Sequence, residues 1–263
     1  MNYFKKIGAF LNNQLNLYDI ESFYDRHAKE YQEKRLDKGM LFNDYIEFPA
    51  ISEELKSFKK QPKKILDIGC GVGFYTKNLS YSADEVVSID ISQNMIDIAK
   101  ENCKEMLSAE QLKKIKFLHT SLEKYKAPEK YFDLVLATFM LGYFDNLDVL
   151  FNKVKNTISD TGKFITSTLH PFRMLSEKDK NGYYLTDYFG NGYYESNFIS
   201  KEDKLKLKRW TFEEISKSAF DNGFLIEKLI EPKPILDMPE ELKKNVDFYY
   251  RNPSILILVF RRK

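Results

Sequence analysis

The stretch Ile65-Leu66-Asp67-Ile68-Gly69-Cys70-Gly71-Val72-Gly73 decides the fold of this chain. It opens as a short apolar run, the pattern of a strand buried on both faces of a parallel sheet. It closes on three glycines at alternate positions, where the backbone can turn sharply and a ligand can approach without meeting a Cβ. The helical pattern that follows, from about Gly73 to Ser80, presents free N–H groups beside that turn. A dinucleotide-binding loop spaces its glycines G-x-G-x-x-G, but here the place of the third glycine holds Phe74. The spacing D-x-G-x-G-x-G therefore counts against a nicotinamide dinucleotide.

Downstream, Glu85-Val86-Val87-Ser88-Ile89-Asp90 reads as a second strand whose last residue lies 23 positions after Asp67. One strand–helix–strand crossover of that length brings the Asp90 carboxylate to the same sheet edge as the glycine turn. There it can grip both hydroxyls of a ribose. The bland alternative is a capping acid ahead of Ser92, which begins a helix through about Leu107. Ile115–His119, Phe132–Ala137 and Gly162–Thr168 read as strands three to five, with a helix over about 146–157. Strands alternating with helices predict a parallel sheet covered on both faces.

That alternation stops at His170-Pro171. Residues 171 to about 208 are polar, rich in Tyr, and broken by Gly182, Gly190 and Gly192. The segment is too long for a plain connection and is read as a lid or substrate loop. Thr211-Phe212-Glu213-Glu214 starts a capping box for a late helix ending near Asn222-Gly223. Phe224–Ile230 and Ser254–Phe260 are the last two strands. Residues 1 to about 60 are helical, charged and aromatic in character, with no strand-like run.

Composition bounds the function. A net charge of +2, from 41 basic and 39 acidic side chains, leaves no basic footprint for nucleic acid. Cys70 and Cys103 have neither metal-ligand nor redox spacing, so no disulfide and no metal are expected and a reducing cytoplasm fits. No signal peptide and no run near the roughly 20 apolar residues of a membrane span are legible, which predicts a soluble, cytoplasmic protein without a membrane partner. The aromatic content of 15% points to an aromatic-lined pocket or lid. An AT-rich genome is its bland explanation. Oligomeric state is not legible.

Taken together, these motifs resemble those of class I S-adenosylmethionine-dependent methyltransferases, and more narrowly the bacterial small-molecule methylases related to quinone-biosynthesis enzymes. The resemblance runs from about Phe23 to Gly223. Phe23–Tyr31 is similar to that family's N-terminal aromatic–acid helix, Ile65–Gly73 to its first motif and Val87–Met95 to its second. Tyr131–Val135 resembles the fourth-strand motif. Gly162-Lys163-Phe164 resembles the start of strand five, with Thr161 in place of the first glycine. Tyr184–Phe189 and Asn222-Gly223-Phe224 also resemble that branch.

The resemblance implies an α/β fold, a Rossmann-like three-layer sandwich. Its seven-stranded sheet would be mostly parallel with an antiparallel last strand, joined to a small helical and loop cap. The expected division is 1–60 as helical cap, 61–170 as the cofactor-binding core, 171–210 as substrate lid, and 211–263 as the late helix with the last two strands. It also implies roles. Gly69, Cys70 and Gly71 would lie under the methionine part of S-adenosylmethionine, with Asp67 anchoring the loop or the cofactor's amino group. Asp90 would hold the ribose, Ile91 and Met95 would sandwich the adenine, and Ser121 and Leu122 would meet its edge. Ala137 and Thr138 would face the sulfonium, and Tyr31 would close over the cofactor.

Methyl transfer from a sulfonium needs alignment and exclusion of water more than acid–base help. For a base, His170 at the end of strand five is the candidate, the alternative being an anchor for the loop through Pro171. His119 is read as packing near the adenine or at the surface, and His27 as solvent-facing. Tyr184, Asp187, Tyr188 and Arg209 are candidate substrate residues in and after the lid. Ala137-Thr138-Phe139-Met140 lacks the [D/N]-P-P-[Y/F] run of adenine or glutamine N-methylases, and Asp145 alone does not make a metal cluster. The expected activity is O-methylation of a small polar or sugar-like metabolite. N- or C-methylation of a quinone-like acceptor and non-catalytic sensing of S-adenosylmethionine are the alternatives.

Overall fold

Neighbouring residues of the central strands bury their side chains on opposite sides, as a sheet covered on both faces requires. In the computed structural model, Leu66, Ile68, Val87, Val135 and Phe164 join one hydrophobic cluster. Ile65, Val86, Leu134, Leu136 and Ile165 join another on the opposite face. The structure describes residues 17–173, 176–179, 182–185, 188–189, 192–244 and 246–263.

The strands of that sheet are β1 (Lys64–Ile68), β2 (Glu85–Asp90), β3 (Ile115–His119), β4 (Phe132–Ala137), β5 (Ile158–Leu169), β10 (Phe224–Ile230) and β11 (Ile255–Arg262). Among the described residues, four shorter strands are β6 (Ser176–Asp179), β7 (Gly182–Leu185), β8 (Tyr193–Ser196) and β9 (Leu205–Lys208). The order across the large sheet is β10-β11-β5-β4-β1-β2-β3. β3, β2, β1, β4 and β5 are parallel, and β11 runs antiparallel to both β5 and β10. This is the expected Rossmann-like sandwich with its reversed last strand.

The helices are α1 (Leu17–Gln32), α2 (Phe48–Lys56), α3 (Phe74–Leu79), α4 (Gln93–Met106), α5 (Ala109–Leu112), α6 (Leu147–Thr157), α7 (Phe212–Asp221) and α8 (Val246–Arg251). Wider π-type turns at Glu33–Lys38 and Asn43–Glu47 link α1 to α2. Phe151 of α6 and Ile215 of α7 belong to the first cluster, Ile51 of α2 and Leu79 of α3 to the second. The stretch 1–16 of the expected N-terminal cap lies outside the described residues.

Two glycines have steric reasons. Gly73, at φ +82°, precedes α3, and a Cβ there would meet the Ala99 Cβ of α4 at 3.0 Å. Gly162 sits where β5 shifts register against β4, and a Cβ there would come within 2.9 Å of the Phe132 carbonyl oxygen. The capping box of α7 is present: Thr211 Oγ1 accepts from the Glu214 N–H and Glu214 accepts from the Thr211 N–H. Thr211→Ala is expected to lower stability by about 1 kcal/mol in urea unfolding.

The expected lid differs from a plain loop. It contains two antiparallel pairs, β6–β7 and β8–β9. Glycine breakers hid strands of only four residues. Leu205-Lys206-Leu207-Lys208 is an alternating strand with both leucines buried.

Candidate functional site

β1 lies between β4 and β2, so the sheet order reverses at its carboxyl end, where open α/β sheets bind ligands. The Gly69 and Cys70 N–H groups donate to the Ile89 carbonyl at 2.8 and 3.1 Å, folding the loop back over β2. Asp90 then joins both elements: one carboxylate oxygen accepts from Gly71 N–H and the other from Ser92 N–H, each at 2.9 Å. Burial pushes its pKa up, against the pull of the Ser92, Gly71 and Ile91 amides. Ser92 caps α4 and donates to Asp25 of α1 at 2.6 Å, which fastens the N-terminal aromatic–acid helix over this edge.

A cavity of about 420 Å³ opens there, within the size range of small-ligand pockets. It brings together Tyr31, Gly69, Cys70, Gly71, Asp90, Ile91, Met95, Ser121, Leu122 and Thr138. Asp67 is not in its wall. It lies behind the loop, buried, accepting from the Thr76 hydroxyl at 2.8 Å, and burial pushes its pKa up to about 7. That bond ties β1 to α3, the loop-anchoring half of its expected role.

The other expected residues stand elsewhere. His170 is fully buried between Phe172 and Phe212, its Nε2 2.9 Å from Glu231, and it is absent from the cavity wall. Burial lowers its pKa, opposed by Glu231. This is the loop-anchor geometry. Tyr188 accepts from the Phe212 N–H at 3.3 Å and packs on Phe172. The Arg209 amide donates to Gly192 O, and Tyr184 pairs with Glu177 between β7 and β6. Neither Tyr188 nor Arg209 lines the cavity, and Asp187 lies outside the described residues. His27 is half-buried against Asp203 at 2.8 Å rather than solvent-facing, because Asp203 also receives Arg26 from α1. His119 donates to the Ile91 carbonyl at 2.8 Å.

Sequence reasoning missed much of the wall. Tyr24, Tyr143, Tyr194 and Phe198 line it, and the hydroxyls of Tyr24 and Tyr143 are hydrogen-bonded to each other. Burial raises the pKa of both. Arg35 and Arg173 are also in the wall, Arg35 ion-paired with Asp44 and stacked on Phe74 at 4.2 Å. Phe139, just past β4, adopts φ +54°, a costly conformation for a bulky side chain. Its N–H is held by Ser167 Oγ at 2.8 Å, and Ser167 in turn donates to the buried Glu47. Glu47 also accepts from Tyr75 at 3.2 Å, and burial pushes its pKa up to about 7. The spacing of Glu47 and Ser167, 120 positions apart, carries no sequence signal.

Residues 66–166 match the family described as a methyltransferase domain. Over that stretch the chain is similar to class I S-adenosylmethionine-dependent methyltransferases, and its fold is theirs. An uncharacterized protein of Haemophilus influenzae is 26% identical, over 94% of this chain and 97% of that protein. A malonyl-[acyl-carrier protein] O-methyltransferase of Legionella pneumophila is 24% identical over 58% of this chain, and the match spans 50% of that relative's length. An S-adenosylmethionine-dependent methyltransferase structure from Mesorhizobium loti superposes with a TM-score of 0.67 at 23% identity, over 82% of this chain and 97% of that one. The domain match and the O-methyltransferase relative support S-adenosylmethionine-dependent methyl transfer.

The cavity fits that cofactor chemically: a glycine turn, a buried carboxylate with lone pairs to spare, and apolar Ile91, Met95 and Leu122 beside it. Among the described residues, no group of three or more His, Cys, Asp or Glu side chains forms a metal-binding cluster, and no helix is long and apolar enough to cross a membrane.

Proposed function

We propose that this chain transfers a methyl group from S-adenosylmethionine to an oxygen of a small polar acceptor, in the cavity at the carboxyl ends of β1, β2, β4 and β5. The observation that carries this reading is Asp90, whose carboxylate is aimed by Gly71 and Ser92 beside the glycine turn in that cavity. Bound there, S-adenosylmethionine would supply a methyl group made electrophilic by its sulfonium. Asp90 would accept from the ribose hydroxyls, while Ile91, Met95 and Leu122 would enclose the adenine. Gly69 and Gly71 would let the methionine part lie against the backbone. Thr138, with the strained Phe139 fixed by Ser167, would shape the wall where the acceptor aligns.

Tyr24, Tyr31 and Tyr143 would exclude water from the reacting centre. His170 is bonded to Glu231 rather than facing the cavity, so an acceptor oxygen already ionised at working pH suits this site without a base. The aromatic wall favours, as a second reading, C- or N-methylation of a flat quinone-like acceptor. A non-catalytic S-adenosylmethionine sensor would share the binding but not the turnover.

Thermal-shift measurements with S-adenosylmethionine, S-adenosylhomocysteine and NAD test the reading. The first two are expected to raise Tm, by an amount equivalent to about 2.7 kcal/mol at 100 times Kd, with no response to NAD. A response to NAD alone would overturn it. Release of S-adenosylhomocysteine in the presence of acceptors separates an enzyme from a sensor.

A further inference from the structure

The cavity has walls of opposite charge. Asp90, Glu123 and Glu195 contribute carboxylates, while Arg35 and Arg173 contribute guanidinium groups. Arg35 is neutralised by Asp44. Arg173 is not: among the described residues no carboxylate pairs with it, and its contacts are with aromatic faces. Its guanidinium carbon stands 4.3 Å from the centre of the Phe42 ring and 5.0 Å from that of Tyr249, two rings themselves packed edge to face at 5.2 Å. Such stacking restrains the planar group while leaving its in-plane N–H donors available. Arg173 follows β5 through a turn closed by its own N–H on the His170 carbonyl at 3.0 Å, so the buried His170–Glu231 pair bears on its position.

A half-buried, pre-oriented guanidinium in a cavity wall matches an oxyanion with two coplanar or tetrahedral oxygens, bound by paired N–H···O bonds. Asn43, next to Phe42, and Thr168, on β5, line the same cavity and add neutral polar groups. We propose that Arg173 anchors an acidic group, a carboxylate or a phosphate monoester, on the methyl acceptor. Phe42 and Tyr249 hold the guanidinium in place. The inference rests on the reading of the Asp90 end as the cofactor end: the acid is the handle, and the methyl-accepting atom lies elsewhere on the same molecule.

The test is isothermal titration of the full chain, preloaded with S-adenosylhomocysteine, with benzoate, phenyl phosphate and the neutral isostere benzamide. Wild type is expected to bind at least one of the two acids about tenfold more tightly than benzamide, and the better acid identifies the anionic group. Arg173→Gln should abolish that preference, and Arg173→Lys should keep part of it through its charge. Both variants should bind S-adenosylhomocysteine within about threefold of wild type. A purely structural role would lower Tm and weaken all three probes alike, and that outcome overturns the proposal. Equal binding of acids and amide by wild type, uptake of none of them at millimolar concentration, or an acid preference that survives Arg173→Gln also overturns it. Failure to bind S-adenosylhomocysteine would instead defeat the methyltransferase reading, and the acid preference would still be measurable on the unloaded chain.

Discussion

Asp90→Ala is expected to weaken S-adenosylhomocysteine binding by roughly 100-fold or more in calorimetric titration. A hydrogen bond to a charged group contributes about 1.5–3 kcal/mol, and two ribose hydroxyls sharing one carboxylate lose both. The same carboxylate accepts from Gly71 and Ser92, so its removal also strands two amides and loosens the glycine turn. Stability should fall by about 1–3 kcal/mol on that account. Asp90→Asn keeps an acceptor for one of these amides and should be less damaging to folding than to binding. A change in Kd of less than about threefold in both variants would remove Asp90 from the cofactor site.

The second large effect is on stability against pH. Glu47 and Asp67 are buried, and burial pushes the pKa of each up to about 7. In the unfolded chain they ionise near 4.5 and 3.8. Between those values and about 7 the folded state therefore holds more protons than the unfolded one. Stability contributed by these groups is full below pH 4, falls as pH rises through the window, and levels off above about 7. The loss is on the order of 3 kcal/mol for Glu47 and 4 kcal/mol for Asp67. Glu47→Gln and Asp67→Asn should each leave stability near pH 4 little changed and raise it at pH 8, relative to wild type, because a neutral amide carries no penalty for ionising in the interior. Urea unfolding of wild type and both variants at pH 4, 6 and 8 measures this. Parallel curves for variant and wild type would show that neither group titrates in the window.

Glu47 has a second consequence, since it reaches the cavity through Ser167 to the strained Phe139. The Glu47 carboxyl, its pKa raised by burial, sits two hydrogen bonds from Phe139 in the cavity wall. Nothing in the local sequence around Glu47 distinguishes it from the other acids of the N-terminal helices. Only the packing of the Asn43–Glu47 turn against β11 brings it within reach of Ser167 on β5.

The same contrast holds across the molecule. The glycine turn, Asp90, and the residues after β2 and β3 were legible because strand–helix–strand units put a fixed chain length between points on one sheet edge. Short-range periodicity therefore carried the fold and brought most of the residues around the glycine turn into one cavity. The segment expected as a lid was less legible, since its strands are four residues long and part of it is held by distant contacts, Arg26 of α1 on Asp203 and Lys208 Nζ on the Asp145 carbonyl.

His170 shows the limit most plainly. Its position at the end of a strand is visible in the sequence. The direction of its ring is not, because that depends on Phe212 from the late helix and Glu231 beyond β10. Arg173 is the converse, an unremarkable residue in a polar stretch until Phe42 and Tyr249 arrive from opposite ends of the chain to stack on it. The Rossmann-like core and the carboxylate beside its glycine turn follow from local pattern and crossover length. The aromatic and Arg173 side of the cavity wall depends on tertiary packing, because its side chains come from segments whose proximity is set by burial of the core and by no local rule.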